Sequence, residues 1–203
     1  IGCIVVEEGV YTVADHGIKM EAVRTTVTRT TNKWDWTPVV QAYQQPYTTP
    51  VVLGQVLTYN DDRFQIFWAT GETRLDAPSP TFLGIGKTTG EAEDKRRMPE
   101  DLGYLVIEEG LYQLAAPDSE FYAGRTGVIV QGVQDQKPPV AVSSGLARAN
   151  SAIATQGGAS GEDGSFAVLD KVTPTELTVR LDEDANGDPE REHIPEVVSF
   201  VQF

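Results

Sequence analysis

The chain is 203 residues long, 40 % hydrophobic and 23 % charged, with 30 acidic against 16 basic residues and a formal charge of −14. That charge repels polyanions, so nucleic acid is excluded as a partner, and a composition of this kind is that of a soluble globular chain. One cysteine (Cys3) and two histidines (His16, His193) exclude a disulfide framework, a Cys/His zinc site and a Cys-based redox pair within one chain.

The first feature in chain order is the opening member of a repeat. Residues 2–27 align without a gap on residues 103–128, with 11 identities in 26 positions, among them Glu7/Glu108, Glu8/Glu109, Gly9/Gly110, Tyr11/Tyr112 and Arg24/Arg125. Further on, the segment beginning Pro50-Val51-Val52 is expected to match Pro139-Val140-Ala141, and Met98-Pro99-Glu100 to match Ile194-Pro195-Glu196. The unit is therefore about half the chain. The sequence opens and closes at the same seam of this repeat, which predicts either one link of a longer array or a two-copy protein with a processed N-terminus.

Between these landmarks the pattern is period two. Val39, Gln41 and Tyr43 share one face, as do Phe64, Ile66 and Trp68, then Phe166 and Val168, then Leu177, Val179 and Leu181. Turn chemistry separates them at Asn60-Asp61-Asp62, Pro78-Ser79-Pro80, Gly157-Gly158, Thr173-Pro174-Thr175 and Asn186-Gly187. No 12-residue window keeps a 3.6 period, and no apolar run approaches the roughly 20 residues of a membrane helix. The prediction is an all-β chain of two tandem antiparallel sandwiches: a connector or donor strand at 1–19, a first sandwich at 20–115 and a second at 116–203.

Residues 39–61, with Pro50-Val51-Val52-Leu53 leading to an exposed loop, the hairpin of residues 165–184, and the closing strands at 103–107 and 199–203 together resemble the H-type lectin domain. Residues 4–24 resemble the connector between tandem H-type-lectin-like domains of large bacterial surface proteins. The resemblance implies a six-stranded antiparallel sandwich, secretion to the exterior or cell surface, and a structural or adhesive task. The aromatic-plus-histidine pair with which such lectins hold galactose-type sugars has no counterpart at residues 85–88 or 180–184.

Four groups of residues carry candidate chemistry. Ile4, Val5, Val6, Glu7, Glu8, Gly9, Val10 and Tyr11 form an assembly strand expected to dock on an open edge of a neighbouring copy, giving a homo-oligomer or filament. Trp34, Trp36, Tyr43 and Tyr47 offer rings for a glycan, the alternative function being a carbohydrate-binding module; alternation places Trp34 and Trp36 on one strand face. Asp182, Asp184, Asn186 and Asp188 have the spacing of a calcium loop without its closing glutamate, and the competing reading is a solvated acidic hairpin. The Glu7/Glu8 and Glu108/Glu109 pairs point to opposite strand faces and do not form a catalytic acid and base; the histidines are expected at the surface. No enzyme activity, no cofactor and no membrane insertion are predicted.

Overall fold

The computed structural model describes residues 3–32, 34–94, 96–114, 120–135, 137–185, 187 and 189–203. The chain is all-β. In order, the elements are β1 (Gly9–Tyr11), a single helical turn α1 (Val13–His16), β2 (Met20–Val27), β3 (Val39–Gln41), β4 (Pro50–Val56), β5 (Ile66–Thr70), β6 (Leu83–Thr88) and β7 (Glu100–Glu108). The second half follows with β8 (Gly110–Gln113), β9 (Glu120–Arg125), β10 (Val140–Val142), β11 (Ala152–Gln156), β12 (Ser165–Thr173), β13 (Glu176–Glu183) and β14 (Val198–Gln202). The helical turn has a local cause: Thr12 caps it by accepting from the Asp15 amide, and Gly17, left-handed at φ 73°, ends it. Among the described residues no helix is long and apolar enough to cross a membrane.

Among the described residues the strands form four antiparallel sheets, ordered β1-β2-β7-β4, β3-β6-β5, β11-β14-β9-β8 and β10-β13-β12. The strand pairing corrects the expected repeat register. Pro139 leads into β10, which pairs with β13 just as β3 pairs with β6, so its counterpart is Pro38-Val39-Val40, at the spacing that separates Gly9 from Gly110. Two Pro-Val-Val segments stand in the first half, and only the identity of the pairing strand tells them apart. The change from one sheet system to the other falls at Glu109, between β7 and β8, because β8 pairs with β9. That is ahead of the expected division at 115/116, whose flanking residues 115–119 lie outside the described residues.

Alternation along the strands sets the layer order. On β7, Leu102, Tyr104 and Val106 face the β3-β6-β5 sheet and pack with Phe67, Ala69, Leu83 and Ile85. The odd positions, Leu105 and Ile107, face the other way, toward the second half. On β14, Phe200 joins Leu177, Val179 and Leu181 against the β10-β13-β12 sheet, while Val201 and Phe203 turn toward the first half. The two four-stranded sheets therefore meet face to face in the middle and each carries a three-stranded sheet on its outside. The same positions meet from both sides: Tyr11 and Tyr112, Met20 and Phe121, Leu53 and Ile153, Leu105 and Val201, Ile107 and Phe203. Such use of one patch by both members is the isologous arrangement of a twofold pair, realised here within one chain.

Each sheet has two edges, and they are unequal. Those on one side, β1, β3, β8 and β10, are three or four residues long. On the other side β4, β5, β11 and β12 have seven, five, five and nine. The longest, β12, is interrupted by a bulge between Leu169 and Lys171, with Asp170 and Lys171 exposed there, a common defence of an open edge.

Because the central core is shared, the halves are expected to unfold together. Ile107→Ala should lower stability by about 2–5 kcal/mol. Tryptophan emission, which reports the first half alone because all three tryptophans lie there, should keep the same urea midpoint as far-UV circular dichroism.

Candidate functional site

The connector is built twice with the same parts. Gly9 and Gly110 share φ 158°, and in each copy a tyrosine hydroxyl reaches back four residues to a glutamate carbonyl: Tyr11 to Glu7 at 2.7 Å and Tyr112 to Glu108 at 2.6 Å. What precedes the bracket differs. Residues 104–108 are the end of β7, held between β2 and β4, whereas the matching residues 3–8 lie in no strand. Of the expected assembly strand, Gly9, Val10 and Tyr11 form β1, paired with β2 of the same chain. Ile4, Val5, Val6, Glu7 and Glu8 run outside it: Val6 packs on the central core, and Val5 is 91 % exposed. Glu108 shows what a partnered member of the pair does, since it accepts from Lys19 Nζ at 3.0 Å and from the Thr48 and Thr49 amides. Glu109 takes the Tyr122 hydroxyl on the opposite face.

The four candidate rings do not share one surface. Trp34 is 77 % exposed, but Trp36 turns inward and meets Trp68 edge-on at 5.2 Å. Neither lies in a regular strand: Asn32 and Asp35 bridge to each other around a turn, so the alternation expected for the two tryptophans does not hold. Tyr47 is 4 % exposed, receives Gln45 Nε2 and donates toward the Val106 carbonyl. Tyr43 stands against it at 5.3 Å and donates to the Ser79 carbonyl. Burial first, and then the charge of nearby Glu21, push both phenol pKa values well up, so these hydroxyls are neutral core donors.

In the acidic segment, Asp182 is held by Arg191 through Nε and Nη2, and Asp184 accepts from the Glu91 amide at 3.2 Å. The same loop of the first half takes the Gly187 amide on Glu91 Oε2. Both described carboxylates thus work in protein contacts, one of them tying the two halves together. Asn186 and Asp188 lie outside the described residues. Among the described residues no group of three or more His, Cys, Asp or Glu side chains is placed to hold a metal ion.

His193 corrects the expectation of a surface histidine. It is 4 % exposed, with Nδ1 on Glu183 and Nε2 3.2 Å from Glu196 and 3.0 Å from Ser165 Oγ. Serine, imidazole and carboxylate in line have the outline of a hydrolytic triad, but the electrostatics run against it. Burial alone would lower the histidine pKa; the two carboxylates outweigh it and raise it to about 9. A protonated ring donates from both nitrogens and cannot take the serine proton, while Ser165 spends its own proton on Gln156 Oε1 at 2.7 Å. The cluster is therefore a buried ionic clamp. Only the distance in sequence between residues 165, 183, 193 and 196 hid it; the shared Pro-Glu before each closing strand was its visible trace.

Compared with known proteins, the chain matches no family model, no curated protein and no solved structure.

A histidine pKa raised above its unfolded value stabilises the fold fully below about 6.5, and that contribution is lost as pH rises through about 9. The thermal midpoint should fall between pH 7 and pH 10. His193→Ala should lower stability at pH 7 by about 3–5 kcal/mol, because it strands two buried carboxylates, and should flatten the alkaline fall. A midpoint profile unchanged by the substitution would refute the clamp.

Proposed function

We propose that the chain is a non-catalytic structural or adhesive module of the cell exterior, a tandem H-type-lectin-like pair that associates with further copies of itself by strand docking. The observation that carries this reading is the contrast between residues 3–8 and residues 104–109. The two share a sequence pattern, yet one is a central strand and the other has no strand partner among the described residues. A segment whose pattern suits a two-sided buried strand, left with Val5 almost wholly in solvent, gains backbone hydrogen bonds and buried apolar area by joining a sheet.

Glu108, Glu109 and the histidine cluster add nothing to an enzymatic alternative, because each is committed to a structural partner. The carbohydrate-binding alternative draws less support than self-association: Tyr43 and Tyr47 belong to the core and Trp36 is turned onto Trp68.

Val5→Asp tests the proposal with little risk to the fold, because the side chain already stands in water. The wild-type chain should sediment as oligomers whose proportion grows with concentration, and Val5→Asp should shift it to monomer by at least tenfold in dissociation constant. A wild-type chain that stays monomeric at high concentration overturns the proposal.

A further inference from the structure

All four long sheet edges lie on one side of the stack, and four segments from them enclose a groove of about 380 Å³ between the halves. Its walls are the ends of β4 and β5 from the first half and of β11 and β12 from the second, with Phe64 at its mouth. Gly54 of β4 donates its amide across the groove to Thr155 Oγ1 of β11 at 3.3 Å, a long contact from strand backbone to side chain. The Leu57 amide turns back onto the Asp101 carbonyl, so along β4 the odd positions serve β7 and the even ones face the groove, where the Gly54 N–H is spent on Thr155 and the Gly54 carbonyl and the Val56 backbone face an incoming strand. Polar backbone of that kind is a ready template for another strand.

Resting on the strand-docking reading above, we infer that this inter-repeat groove is the seat for residues 3–8 of a second copy, which adds as a strand to the β4 edge at Gly54 and Val56. Charge supports the match. None of the residues lining the groove carries an ionisable side chain, in a chain of net charge −14, and residues 3–6 of the incoming segment, Cys-Ile-Val-Val, are uncharged as well. The uncharged part of that strand, residues 3–6, meets no ionisable side chain among the groove's lining residues, while Glu7 and Glu8 at its end lie outside that match.

Continuity with the covered interface is the second support. The floor of the groove is the rim of the shared central core, since Ile153 and Leu53 of that core adjoin Ala154 and Gly54 of the groove. An added strand extends an apolar contact that the protein already makes. Length sets the extent of the contact: only Gly54, Gln55 and Val56 of β4 are less than fully buried and line the groove, so at about 3.3 Å per residue three residues of the incoming segment run along it. The competing edge, β12, carries its bulge and its charged residues beyond the groove, so the defence is placed where docking is not wanted. Donor and seat are different residues, so the contact is head-to-tail, although Cys3–Val6 and Gly54–Gln55 of one chain border a common cavity.

Complementation by sedimentation velocity tests the seat separately from the self-association it rests on. Val5→Asp removes the donor; Phe64→Glu, at a side chain already 45 % exposed, puts charge in the groove, with Phe166→Glu on β12 as a second seat variant away from the donor segment. Each variant alone should be monomeric with an unchanged thermal midpoint. An equimolar mixture of donor-blocked and seat-blocked chains should form a one-to-one pair and nothing larger, with the amide of residue 56 gaining at least tenfold protection from hydrogen exchange. If Val5→Asp is monomeric but both seat variants still oligomerise like the wild type, the seat is wrong while the donor stands. If the wild type does not associate at all, the donor reading falls and the seat with it.

Discussion

The structure depends on two sheets that are buried on both faces. A strand at the centre of such a sheet must present apolar side chains at odd and even positions alike, and β7 and β14 do so, with Tyr104 and Phe200 on one side and Leu105 and Val201 on the other. Every other placement follows from this. The outer three-stranded sheets need only one apolar face, and the inter-repeat contact has a buried apolar cluster of its own beside the cluster inside each half.

The closing strands are each approached through a Pro-Glu whose glutamate is fully buried, and the two halves neutralise that charge differently. Glu100 accepts from the Asn60 and Asp61 amides and from Thr58 Oγ1, with Lys87 nearby, and these hold its pKa down although burial alone would raise it. Lys87 itself is buried and donates to Gln65 Oε1 and the Met98 carbonyl. In the second half Glu196 takes the Gly161 amide and the imidazolium of His193. A buried charge is tolerated only with such partners, so each half has kept the carboxylate and rebuilt its surroundings.

Much of this architecture is legible in the sequence. The alternation at Leu177, Val179 and Leu181 reads directly as one buried face, and the repeat block locates the connector, because both depend on local pattern alone. What the sequence hides depends on long-range pairing. Two Pro-Val-Val segments in one half look alike until β6 and β7 choose between them. Trp34 and Trp36 sit two apart, as on a strand, yet a local bridge between Asn32 and Asp35 makes a turn of that segment. His193 looks solvated among Glu190, Arg191 and Glu192, and only the arrival of β13 and Ser165 from elsewhere buries it. The donor segment reads as a strand because its counterpart is one; what pairs with it is not a local property, and here sequence pattern and observed pairing part.

The isologous central contact has a consequence for how the chain tolerates change. In a true homodimer each substitution in the interface is made twice and faces itself, so a larger side chain at the twofold must find room on both sides at once. Joined in one chain, the two patches drift independently: Met20 faces a partner patch that carries Phe121, and Ile107 one that carries Phe203, while Leu105 is answered by the smaller Val201. Of these three pairs two carry the larger side chain in the second half and one in the first, so the two patches are no longer copies of each other. Covalent linkage thus removes a symmetric constraint. The two halves share a scaffold but are free to specialise at their outer surfaces.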